Sequence, residues 1–216
     1  MTRASRVKAA SPAADEDGTR DRILAVALQE FSRHGLAGAR IDAIAAESGL
    51  NKGMIYYHFG SKEELYVAAL EESYRRFRQV ESAFHLDSLP PVPALRSLVG
   101  ATFDFHAAHP EFIRMVMGEN INQGEYIRKI PDLQAINRSA IALLERLCKR
   151  GIAEGVFRAD LDPVDLHMSI SALSFYNVSN RHTVSFIFGR DLGAADVHAA
   201  RRESVVDMIL RGVRAS

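Results

Sequence analysis

From residue 19 onward, apolar residues recur at helical spacing with few interruptions. In "TRDRILAVALQEFSRHG", Ile23, Leu24, Ala27, Leu28 and Phe31 fall at i, i+1, i+4, i+5 and i+8, which is one face of a helix. Thr19 is placed to cap that helix and Gly35 to stop it. A second short helix is expected from Arg40 to Ser48, with Ile41, Ile44 and Ala45 inward and Gly49 as its left-handed end. Leu50 then plugs inward, and Asn51 caps a third helix, "KGMIYYHF", closed by Gly60. Ser61 and Glu64 have the spacing of a capping box for a fourth helix reaching about Val80.

The strongest internal break is "HLDSLPPVP", residues 85–93, with three prolines in four residues. Beyond it the pattern predicts five helices, over 94–108, 110–122, 132–154, 163–188 and 195–213. Asp162 and Pro163 supply an N-cap and a first helical residue for the fourth of these. That helix is rich in β-branched and aromatic residues, among them Phe175, Tyr176, Val184, Phe186, Ile187 and Phe188, which suits burial on more than one side. No segment alternates like a strand. The expectation is an all-α chain of about nine helices. A disordered arm over 1–18, a helix-turn-helix domain over 19–64 and a helical domain over 65–216 complete the division.

The totals constrain the chemistry only a little. With 27 basic and 27 acidic residues among 216 the formal net charge is zero, so any nucleic-acid binding must come from where the charges sit. Over residues 19–62 six basic residues (Arg20, Arg22, Arg33, Arg40, Lys52, Lys62) face four acidic ones (Asp21, Glu30, Asp42, Glu47). One cysteine, Cys148, excludes an intrachain disulfide, and its helical context predicts a buried thiol. No apolar run approaches the ~20 residues of a membrane span. The first 18 residues lack the apolar region of a secretory signal, so the cytoplasm is the expected compartment.

The stretch "SGLNKGMIYYHFGSKEEL", residues 48–65, crowds polar tips and aromatic rings between glycines. With Leu50 and Ile55 directed inward, the third helix presents Lys52, Gly53, Met54, Tyr56 and His58 outward. Gly53 permits close approach. Lys52 can reach a phosphate or a guanine edge, and the Tyr56 hydroxyl can donate to phosphate. Lys62 lies in the first turn of the next helix, where free N–H groups already favour an anion.

The longer stretch "TRDRILAVALQEFSRHGLAGARIDAIAAESGLNKGMIYYHFGSKEELYVAAL" resembles the N-terminal domain of TetR-family transcriptional regulators along its whole length, most densely over 48–65. The resemblance places Arg40, Lys52, Gly53, Met54, Tyr56, Tyr57, His58 and Lys62 at or beside the family's DNA-contact positions. Tyr57 is the ring expected to turn toward the core. Met54 stands where the family usually has Thr, Ser or another small polar residue, and Ser48 where an apolar one is common.

The resemblance further implies a homodimer paired through the last two long helices. It implies a palindromic double-stranded DNA operator, and a small-molecule effector bound in the C-terminal domain. Most of that domain matches the family in helix count alone, although "HPEFIRMVMGENINQG" resembles a branch that includes a pyrimidine-responsive regulator. Polar residues on its apolar helices are the candidate ligand contacts: His106, Asn120, His167, Ser171, Tyr176, Asn177 and Arg181. The function so implied is a ligand-released repressor. A transcriptional activator and a ligand-independent DNA-binding protein of the same fold remain open beside it.

A helical metalloenzyme is the rival from another class. His106 and His109 lie at i, i+3 with Asp104 nearby, yet the paired Glu-x-x-His motifs of a helical di-metal site are missing from the sequence. So are H-E-x-x-H, G-x-S-x-G and phosphate-loop motifs. Neither catalysis, a metal nor a cofactor is expected.

Overall fold

The computed structural model describes residues 12–83 and 86–215, with side chains left out for 12–17 and 81–83. Among these residues there are ten α-helices: α1 (Pro12–Gly38), α2 (Ile41–Ser48), α3 (Lys52–Phe59), α4 (Lys62–Ala83), α5 (Pro91–Ala108), α6 (Pro110–Ile121), α7 (Leu133–Ala153), α8 (Pro163–Ser179), α9 (Arg181–Phe188) and α10 (Ala195–Val213). Two 3₁₀ turns, Leu86–Ser88 and Ile127–Lys129, lie between them. The chain divides into two compact units between Ala69 and Leu70, within α4.

The first unit is a trihelical core closed by the start of α4. Ile23, Leu24, Ala27, Leu28 and Phe31 of α1 are all buried, as their spacing predicts. Ile44, Ile55 and Leu65 join them, and Tyr66 meets the Phe31 ring edge-on at 5.1 Å. Helix α1 begins at Pro12, not Thr19. Proline is well tolerated at the first position of a helix, which is where Pro12 stands. Residues 1–11 of the expected arm lie outside the described residues. Gly35, at φ 64° and ψ 177°, interrupts α1 where a stop is expected, and one further turn runs on to Gly38.

In the second unit α5 is central, packing on α10, α8 and α7. Leu95, Val99 and Phe103 meet Leu144 and Leu147 of α7, Leu166 and Ile170 of α8, and Val205, Val206 and Ile209 of α10. Cys148 is buried in this core, and burial, then Asp162, pushes its thiol pKa up. Phe77, Phe105, Phe112 and Ile113 form a smaller aromatic cluster.

Two details differ from the sequence pattern. Pro91 and Pro93 sit in the first turn of α5, where missing N–H groups leave no helical bond unmade, so α5 starts three residues early. The helix expected over 163–188 breaks at Asn180, whose side chain donates to Ser179 Oγ at 2.8 Å. The Asn180 N–H still donates to Tyr176 O at 3.1 Å, but its backbone at φ −107°, ψ 8° ends α8. The resulting α9 has no buried residue. Phe186, Ile187 and Phe188 are 90, 67 and 73% exposed, so the doubly buried helix predicted there is not what the single chain forms.

Candidate nucleic-acid interface and buried polar seam

The turn between α2 and α3 is set by three small groups. Gly49 takes φ 69°, ψ 26°, and the following Leu50 N–H donates to Ala45 O at 3.0 Å. The Ser48 hydroxyl is buried yet satisfied, donating to Ala45 O at 3.2 Å, which explains how a polar residue is accommodated at an apolar position. Upstream, the half-buried turn is fixed by Glu30, whose carboxylate accepts the Arg40 N–H at 3.0 Å and thereby anchors the start of α2.

Asn51 caps α3 as its position predicts, its Oδ1 accepting the Met54 N–H at 3.0 Å. A Cβ on Gly53 would stand 3.0 Å from that oxygen, so glycine there protects the cap as well as keeping the helix face open. The capping box ahead of α4 is half made. Ser61 Oγ accepts the Glu64 N–H at 3.1 Å, but the Ser61 N–H donates to Phe59 O at 2.8 Å. The Glu64 carboxylate lies instead over Gly60.

Arg40, Lys52, Gly53, Tyr56 and Tyr57 are exposed, and Met54, His58 and Lys62 are half-buried. Tyr57 is 72% exposed, more than Tyr56, and rests edge-on against His58, so its ring does not belong to the core. His58 points partly inward, and its Nε2 is buried without a hydrogen-bond partner. Lys52 forms an ion pair with Asp42 at 2.6 Å, and Lys62 Nζ donates to Ala37 O at 3.3 Å. Both cations are thus held near α3 by weak surface contacts that a phosphate can replace.

In the second unit the seven candidate ligand residues do not share one site. Asn120 is exposed and donates to Val116 O of its own helix at 2.8 Å. Tyr176 is on an exposed face, Asn177 is buried, and Arg181 lines a separate cleft of about 150 Å³ with Arg114 and His182. His106, His167 and Ser171 do converge, on the seam between α5 and α8. Thr102, His167 and Ser171 line a cavity of about 10 Å³ there, room for one water. His106 lies one turn along α5 from Thr102. It is 2% exposed, and its Nδ1 has no hydrogen-bond partner. Its pKa is pushed down to about 4 by burial, then by Arg78 and His167. His167 is lowered by burial and then by Arg78.

Arg78, Tyr74 and Glu119 complete this polar group and were missed in the sequence. Arg78 is buried, with its guanidinium 4.3 Å from the Phe77 ring centroid. Glu119 is buried and accepts the N–H groups of Tyr126 and Ile127 at 3.2 and 2.9 Å. Burial raises the Tyr74 pKa, with Arg78 lowering and Glu119 raising it further. The signal was present in the periodicity: Arg78 stands eight residues after buried Leu70, and Glu119 seven after buried Phe112. Asp104, near the His106–His109 pair, is engaged by Arg202 at 2.9 Å and His198 at 3.3 Å. Among the described residues no three His, Cys, Asp or Glu side chains are grouped to hold a metal, and no helix is long and apolar enough to cross a membrane.

Known proteins share both units. Residues 23–69 match the family described as "Bacterial regulatory proteins, tetR family", and residues 91–209 match "Tetracyclin repressor-like, C-terminal domain". The HTH-type transcriptional repressor NicS of Pseudomonas putida is 38% identical over 198 residues, 92% of this chain and 93% of NicS. The HTH-type transcriptional repressor SCO4008 of Streptomyces coelicolor is 40% identical over 113 residues, covering 52% of this chain and 55% of that one. Among solved structures, SCO4942 of Streptomyces coelicolor superposes with a TM-score of 0.69 at 26% identity, covering 90% of this chain and 98% of that one. Glycine-turned α2–α3, the all-helical second unit and these matches together make the chain a member of the TetR family of bacterial regulatory proteins, a DNA-binding transcriptional regulator.

Proposed function

We propose that the chain works as a homodimeric repressor on a palindromic operator and leaves it when a small-molecule effector binds the second unit. The carrying observation is the exposed face of α3, where Lys52, Gly53, Tyr56 and Tyr57 crowd onto one short capped helix. Arg40, Met54, His58 and Lys62 extend the proposed contact. Lys52 exchanges Asp42 for a phosphate at little cost, since exposed ion pairs contribute about 0–1 kcal/mol. NicS and SCO4008 are named as repressors, which favours the same sign of control here. Binding in the cytoplasm, not catalysis, is the proposed role.

The homodimer is supported by apolar side chains that the single chain leaves in water. Val164, Met168 and Tyr176 of α8 and Phe186, Ile187 and Phe188 of α9 are all exposed. Together they amount to on the order of 700 Å², close to the ~800 Å² per partner of a standard interface. Two copies of α3 grip successive major grooves when held about 34–36 Å apart, and an effector that favours another spacing lowers DNA affinity by linkage.

The test is selection of duplexes from a random pool, with sedimentation of the protein alone. A dimer that enriches a palindrome is the expected result. A monomer, or equal affinity for the selected and a scrambled duplex at moderate salt, overturns the reading.

A further inference from the structure

We propose that Asp42 is a specificity-determining residue, its carboxylate accepting the exocyclic amino group of a cytosine in the major groove of the operator. The proposal rests on the α3 face assigned to DNA above, and on neither the dimer nor the effector. Asp42 stands in the first turn of α2, and its Oδ1 holds Lys52 Nζ at 2.6 Å, with both side chains more than half exposed. Lys52 is the first residue of α3. In a helix-turn-helix the N-terminal residues of the recognition helix are the ones that reach base edges. A carboxylate therefore stands at the end of α3 that enters the groove.

An acid in that place works against binding. The duplex brings one negative charge per ~1.7 Å of its axis. The positive end of α2 favours an acid in the free protein, but on DNA that benefit is opposed by the phosphates. When Lys52 turns to a phosphate, the Asp42 carboxylate is left bare beside the groove. It is then tolerated only where a hydrogen-bond donor meets it. Base edges in the major groove offer two such donors, cytosine N4 and adenine N6. Adenine sets its N7 acceptor beside the amino group, whereas guanine presents acceptors alone and thymine an acceptor and a methyl group. Cytosine presents the donor by itself, so it is the base that a carboxylate selects.

The rest of the face does not duplicate this role. The α3 sequence "KGMIYYHF" has no Asp, Glu, Asn, Gln or Arg. Lys52 only donates. The Asn51 Oδ1 already accepts the Met54 N–H, and the Glu30 carboxylate accepts the Arg40 N–H. Gly53, next to Lys52, has no side chain to hold a base edge away. The pair thus discriminates by repulsion as well as attraction. Any duplex gives Lys52 a phosphate, but only one with an amino group in the right place relieves Asp42.

The experiment selects duplexes from a random pool with full-length wild type, Asp42→Ala and Asp42→Asn. It then measures affinity for the wild-type site, for that site with each C·G pair changed to T·A, and for a scrambled duplex. At one C·G position per α3 contact, the change to T·A should weaken wild type roughly tenfold, and Asp42→Ala should reduce that factor to within about twofold. Discrimination at the other positions should persist, and Asp42→Ala should bind the scrambled duplex about threefold more tightly. The Asp42→Asn amide accepts from cytosine and donates to thymine O4, so that variant should take either base there. It also keeps the side-chain shape, and decides alone if Asp42→Ala does not fold. Unchanged base preferences in the Asp42 variants overturn the proposal. So does an equal loss of affinity for selected and scrambled duplexes, which is what a merely structural acid would give. Wild-type binding by both Lys52→Ala and Tyr56→Ala overturns the α3 face and this proposal with it. Weakened binding in those two, with no change of preference on losing Asp42, overturns the role of Asp42 alone.

Discussion

The two units handle polar groups in opposite ways. In the first, the side chains proposed to meet DNA are on the surface or half-buried. Lys52, Tyr56 and Tyr57 project from a helix whose own polar needs are met by Asn51 and Gly60. In the second, Arg78, His106 and Glu119 are inside, among Phe77, Phe105 and Phe112. The groups whose ionisation is moved by burial, Tyr74, His106, Cys148 and His167, belong to this second unit. A surface built to meet a solvated polyanion can leave its charges in water. Polar groups shut away from water bear the cost of their own desolvation.

The largest expected effect tests that cost. Below pH 6.5 the His106 imidazole of the unfolded chain takes a proton, while the folded chain resists until about pH 4. Stability therefore falls as pH drops through that window, by about 3 kcal/mol for a shift of this size. Urea unfolding of wild type and His106→Gln from pH 7 to 4 should show the variant losing that much less. A parallel decline would remove His106 as the buried, neutral group of this comparison.

Packing in the second unit gives the next effect. A Cβ on Gly151 of α7 would overlap the Phe157 ring, so Gly151→Ala should cost about 2 kcal/mol by thermal or urea unfolding, despite alanine's better helix propensity. A neutral or stabilising result would mean that Phe157 moves freely.

In the first unit the expected effects are on binding before stability. Tyr56→Ala and Lys62→Ala should each weaken binding to the selected operator roughly tenfold, about 1.4 kcal/mol, with dimer mass unchanged. Wild-type affinity in both variants would break the assignment of function to this exposed face. Smallest, Asn51→Ala should cost about 1 kcal/mol in melting of the whole chain, since the Met54 N–H loses its acceptor. A loss well above that would mean that the cap also holds the α2–α3 turn.

The same contrast explains what could be read from the sequence. Asn51, Gly49 and Gly60 have local jobs within a few residues of their neighbours, so spacing alone located them. Asp162 is another such case, accepting the Asp165 N–H at 2.8 Å as expected of an N-cap. The Tyr57 ring faces solvent where one turned toward the core is expected, because one residue of rotation on α3 separates core from solvent. Arg78 is not marked out by its neighbours, since it stands in the charged stretch "YRRFRQ"; it is buried, with its guanidinium over the Phe77 ring. Asn120, Tyr176 and Arg181 are polar residues on apolar helices like His106, yet the fold sends each to a different surface.

What the sequence determined by itself was local: the periodicity of about nine helices, most of the caps that start them, the glycines that turn them, and through these the helix-turn-helix and its family. Tertiary structure decided which polar groups share a space. Arg78 on α4, His106 on α5 and His167 on α8 come together in the second unit because their helices pack, and no spacing along the chain encodes that encounter. Periodicity fixes the direction of a side chain about its own axis. The axis-to-axis packing that gives the direction a destination is a property of the whole core.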